Sequence, residues 1–332
     1  MLKFKKNLLH NALLIILSAI LFYLVLKSFS VYFIISSLLL LVVLLVGKVI
    51  YDTYLHNKKN NFFIKLNSKY LSPELLQQEL SHGNEITAHN DNGQRVFDKI
   101  ISNRKIPHSE SEKVIKFALE SGASINSLSG LGDTPLISAI HNNPKIVGCL
   151  LDSPDIDHNK PDKNGTTPLM LAISLKRHDI VNRLINMKAK VNPVNKFGFS
   201  ALKYAILYGD VELVKKLANS KEDLNMVYTD GRTLLMTATL VKKPSIVSYL
   251  LEQGVERDFL DGNGMNAFWH GVRSNSLDCL QVLIDNGSNV NIKNKHGISP
   301  LDTALICKNT DVVNFLLSNG ATPSTNSYNY SM

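Results

Sequence analysis

Gly165-Thr166-Thr167-Pro168-Leu169-Met170-Leu171-Ala172 decides how this chain is read, because altered copies of it return at a fixed interval. Its leading glycine recurs as Gly132, Gly165, Gly198, Gly231, Gly264 and Gly297, each 33 residues from the next. Five equal intervals in succession mark an internal repeat. Two residues after each glycine stand Thr134, Thr167, Ser200, Thr233, Asn266 and Ser299, side chains that accept from the free N–H groups opening a helix. Pro135, Pro168 and Pro300 follow three of them, and proline fits a first helical turn because its missing N–H had no partner there. Next come Leu136, Leu169, Leu202, Leu235, Phe268 and Leu301, then, three residues on, Ala139, Ala172, Ala205, Ala238, Gly271 and Ala304. That spacing puts a bulky anchor and a small residue on one helical face, so neighbouring helices are expected to approach closely at the small one.

A second helical pattern closes each unit, as in Ile180-Val181 with Leu184-Ile185 and Ile246-Val247 with Leu250-Leu251. Gly122, Gly254, Gly287 and Gly320 stand where a left-handed residue ends a helix. Lys188 and Lys221 hold that place in the middle units, at a conformational cost. Glycine-led turn, capped helix, short link, second helix and return resemble the ankyrin repeat, whose signature is T-P-L-H-x-A at this period. The resemblance covers residues 72–323. It departs at the family's histidine, which is Ile137, Met170, Lys203, Met236, Trp269 and Asp302 here, so the bonds that histidine makes between repeats need another source.

The ends of the array are irregular. Ser72-Pro73-Glu74 caps a short helix closed by Gly83, the second half of an incomplete unit. The unit led by Gly93 is 39 residues long, with the extra length assigned to the link near Pro107-His108-Ser109-Glu110. A terminal repeat is expected to be atypical, having one neighbour only.

Seven lysines against one aspartate in the first 60 residues supply most of the net charge of +8. Basicity confined to that segment argues against a nucleic-acid face on the repeats. There, residues 8–26 and 31–50 form two apolar runs long enough to cross a bilayer. Lysines flank the pair on its outer sides, with Lys27 alone between the runs, so both termini are expected in the cytoplasm. Cys149, Cys279 and Cys307 lack paired spacing and are expected as packed, reduced thiols, in keeping with that side of the membrane. Residues 51–71 read as a polar linker, with Phe62-Phe63-Ile64 on the membrane surface, and 324–332 as a tail.

The chain carries no Walker motif, no H-x-x-x-H or paired His/Cys spacing, and G-x-S-x-G fails at Leu202. No cofactor, metal, nucleic acid or small-molecule substrate is therefore expected, nor enzymatic activity. What remains is surface. The resemblance implies that partner-facing residues lie at the turn tips and inner helix ends, positions that are polar in the early units and become apolar at Phe197, Phe199, Leu207, Tyr208, Leu240, Val241 and Met265. The expected protein is all-α, an ankyrin-repeat solenoid of about seven helix-turn-helix units with β-turn tips, preceded by a two-helix transmembrane hairpin. It would be a membrane-tethered, non-catalytic scaffold for a protein partner. The alternatives are a hairpin that oligomerises into a pore regulated by the repeats, or an enzyme whose site carries no familiar motif.

Overall fold

The computed structural model describes residues 13–20, 31–68, 70–90, 93–218 and 221–322. Among them the regular structure is helical, apart from a lone antiparallel bridge between His89 and Arg95. Six units begin at the expected caps, where Thr134, Thr167, Ser200, Thr233, Asn266 and Ser299 each accept the N–H three residues on at 3.2–3.3 Å. Their first helices run Pro135–Asn142, Pro168–Ser174, Ala201–Tyr208, Leu234–Leu240, Ala267–Ser274 and Pro300–Ile306. Ala139, Ala172, Ala205, Ala238 and Ala304 are fully enclosed, as stacking of the small residues requires. At Gly271 a Cβ would sit 2.8 Å from a Leu280 methyl and 3.1 Å from the Thr239 methyl, which is why the alanine of the other units gives way to glycine.

Each tip is a turn closed from the glycine N–H to the carbonyl three residues before it, with the glycine at positive φ. That carbonyl belongs to a residue whose side chain also works: Asp162, Asn195, Asp261 and Asn294 each accept from the N–H groups two and four residues on. Adjacent tips are tied by Gly130 N–H to the Gly93 carbonyl and Lys163 N–H to the Gly132 carbonyl, 3.1 and 2.8 Å.

Several residues at the family's histidine position make other bonds. Asp98, Met236 and Asp302 accept from the N–H of their own cap residues. Lys203 reaches between units, its ammonium 3.1 Å from the Gly198 carbonyl and 3.2 Å from Asp230 of the next tip.

Lys188 takes the left-handed conformation at φ 57°, as its position required. Lys221 does not. The preceding helix, Val211–Leu217, ends in extended backbone at Ala218, and Lys221 instead opens the helical turn Lys221–Leu224, whose Leu224 joins the core. In the Gly93 unit the second helix, His108–Glu120, has 13 residues against nine in His178–Asn186, so most of the added length is a further helical turn rather than a longer link.

The largest departure lies before the repeats. One unbroken helix, Val31–Lys65, runs through most of the stretch read as linker. Its apolar part is exposed, Leu44 by 62%, whereas Phe62, Phe63 and Leu66 are buried in the repeat core. The two phenylalanines therefore pack against the first repeats instead of lying free for a membrane surface, and Ile64, on the opposite side, is exposed. Lys58 donates to the His82 carbonyl at 2.7 Å, Lys65 pairs with Glu79, and Asn103 holds the Leu66 and Ser68 carbonyls at 2.8 and 2.9 Å. Of the first apolar run, residues 13–20 are helical; the rest of it, and the tail at 324–332, lie outside the described residues.

Candidate protein-binding surface

The Gly198 tip is held by Asn195, which is itself buried. Its Oδ1 accepts from both Phe197 and Phe199 N–H at 3.0 Å, and its amide donates to Thr166 of the preceding unit. With the backbone so fixed, Phe197 projects outward, 66% exposed. Phe199 folds back and stacks on Tyr204, ring centroids 5.0 Å apart. Tyr204 and Tyr208, one helical turn apart, lie nearly parallel with centroids 6.5 Å apart. Three rings thus descend from the tip along the first helix to its end, where Tyr208 is 43% exposed. Leu207, Leu240 and Val241 are half-buried at the inner helix ends, Val241 against the core.

Cations frame this column. The Lys203 ammonium lies 5.2 Å from the Phe199 ring centre and 4.5 Å from that of Tyr228, a cation–π arrangement reinforced by Asp230. Burial pushes the Tyr228 phenol up to about 12, and it stays protonated against the Ser200 hydroxyl at 2.6 Å. At the other end of the column Lys176 stands 5.4 Å from the centre of Tyr208, and the Lys243 chain passes beside Gly209.

Of the seven residues singled out from the sequence, Phe199 and Tyr208 are linked through Tyr204, Phe197 projects from the tip, and Leu207, Leu240 and Val241 are half-buried at inner helix ends. Met265 is the exception: it is 9% exposed, with Arg273 reaching its sulfur, and it does not belong to the surface. Tyr204, the middle ring, was missed, although its spacing of four from Tyr208 could have disclosed it. So was Asn195, although a polar residue recurs three before most of the glycines. A further column was also missed: Leu128, Pro161, Val194, Val227 and Leu260, four before successive glycines, are all exposed.

One His–Asp pair lies beside this region. His270 and Asp261 approach to 3.1 Å, but both side chains are enclosed and the imidazole Nδ1 has no partner. Burial holds the His270 pKa below its ordinary value despite the carboxylate, and the contact ties tip to helix. Among the described residues no cluster of His, Cys, Asp and Glu is arranged to hold a metal. Cys149 and Cys279 are shielded and their thiols pushed up by burial; Cys307, expected to be packed, is exposed because it stands just past the end of its helix.

Stacked helix pairs with glycine tips and an apolar inner column define a solenoid interaction module. A sequence model of ankyrin repeats, spanning three copies, matches residues 105–195, 142–228, 177–258, 202–294 and 235–327 in overlapping frames. Those matches cover well over half of the chain, which belongs to the ankyrin repeat family. No curated protein matches it. The repeat region is accordingly a protein–protein interaction domain.

Proposed function

We propose that the chain is a membrane-tethered, non-catalytic scaffold that captures a protein partner on the surface formed by Phe197, Phe199, Tyr204, Leu207, Tyr208, Leu240 and Val241. The observation that carries this reading is the exposed Phe197 ring beside a stacked aromatic column, on a tip fixed by Asn195. Binding energy concentrates in a few large side chains, and rings already held in place lose little entropy on docking. The tether is supported by the stretch Leu38–Lys65 of the long helix, long and apolar enough to span a bilayer, with none of its most apolar window buried. A core helix would hide that surface in the protein; this one leaves it for lipid. Both termini and the repeats face the cytoplasm in this reading, following the lysines that flank the two apolar runs.

Replacing Phe197 and Phe199 together by Ser should abolish capture of the partner from detergent-solubilised cells, with helicity and melting nearly unchanged. Loss of folding would make the rings structural. Unchanged capture by a folded variant would sink this surface, leaving the column through Leu128, Val194 and Leu260 as the alternative.

A further inference from the structure

Lys176 and Lys243 stand at the end of the aromatic column, and among the described residues neither has a carboxylate within ion-pair distance. Lys176 approaches the Tyr208 ring from the preceding unit, and Lys243 reaches Gly209 from the following one. The acid nearest to Tyr208 in sequence, Asp210, already caps the next helix by accepting from Leu213 N–H at 2.9 Å. Asp230, at the tip end of the column, is occupied by Lys203 and Arg232. Two cations without an ion-pair partner among the described residues thus flank an apolar strip, and the acids Asp210 and Asp230 beside it are engaged.

We infer that the partner is an acidic protein segment in which a large aromatic or aliphatic side chain is flanked by Asp or Glu residues. This rests on the reading of the aromatic column as the binding surface. The apolar anchor lies over Tyr208, Leu207 and Leu240, and carboxylates on either side meet Lys176 from one unit and Lys243 from the next. Complementary charge of this kind steers association and selects among partners with similar apolar anchors. A nucleic acid would meet the same lysines, but at the tip its phosphates would face Asp230 and the projecting Phe197.

The test uses the full chain in nanodiscs of neutral lipid with three labelled peptides, alternating Glu and Phe, Lys and Phe, or Glu and Ser. The Glu/Phe peptide is expected to bind, to weaken with salt, and to lose about tenfold or more in affinity to Lys176→Glu/Lys243→Glu. Equal binding of the Lys/Phe peptide, or an unchanged affinity in the charge-reversed chain, would overturn the inference. Equal binding of the Glu/Ser peptide, or tighter binding of single-stranded DNA, would overturn it as well. If Phe197→Ser/Phe199→Ser abolishes partner capture while charge reversal leaves it intact, the surface stands and the acidic partner does not.

Discussion

Lys176, Lys242 and Lys308, with Gly209 and Asn275 between them, take the left-handed conformation at one position of successive units, the link between first and second helix. A side chain there costs roughly 1–2 kcal/mol in steric terms, against the roughly 0.5–1 kcal/mol of chain entropy that glycine forfeits on ordering. Lys242→Gly and Lys308→Gly should therefore each stabilise the fold, by about 0.5–1 kcal/mol. An urea midpoint that falls in both would contradict this account. Lys176→Gly is a less clean probe because it also removes the cation beside Tyr208. That the chain keeps lysine where glycine suits the backbone is consistent with a use for its charge.

Helices meet most closely where the small residue of one unit faces its neighbours, and Gly271 shows how little room there is. Alanine improves helix propensity by about 1 kcal/mol, but its methyl would overlap Leu280 and crowd Thr239, and overpacking costs roughly 1–3 kcal/mol. Gly271→Ala is therefore expected to destabilise by about 1 kcal/mol, and the loss should shrink when Thr239 is Ser. Ala172→Leu, at the enclosed equivalent position, should cost about 1–3 kcal/mol. A Gly271→Ala chain that melts above the parent would mean that propensity outweighs packing at this junction. Either way the effect should spread to adjacent units, since each repeat is stable only through its neighbours.

At the scale of the molecule, the long apolar helix Val31–Lys65 leads into the repeats and packs its far end on them. From Val31 to Lys65 the helix is about 50 Å long, of which the first 20 residues suffice for the hydrocarbon thickness. Tyr51 and Tyr54, both exposed, follow directly, where the membrane-tethered reading would place interfacial aromatic anchors. The far end supplies Phe62, Phe63 and Leu66 as a lid on the first units, the capping that a solenoid end requires. Protease added outside sealed cells should leave residues 90–320 intact. In lysed membranes, Phe62→Asp/Leu66→Asp should admit cleavage near Ser72 that the parent resists. Cleavage of the repeats in sealed cells would refute the cytoplasmic orientation, and equal resistance of the variant would refute the lid.

Period, caps, tip glycines and the stacking residues were all legible in the amino-acid sequence, because each depends on contacts within one 33-residue unit or its repetition. The change from polar to apolar tips at Phe197 and Phe199 was legible for the same reason. Other features depend on which unit lies beside which. Met265 looked exposed by register, but Arg273 lies against its sulfur. Lys203 looked like a lost histidine, yet it finds two aromatic rings and Asp230, which comes from the next unit. Phe62 and Phe63 looked membrane-bound because apolar pairs seek any dry surface, and nothing local distinguishes lipid from a repeat end. Only the tertiary structure placed them, since the choice is made by the unpaired face of the first repeat.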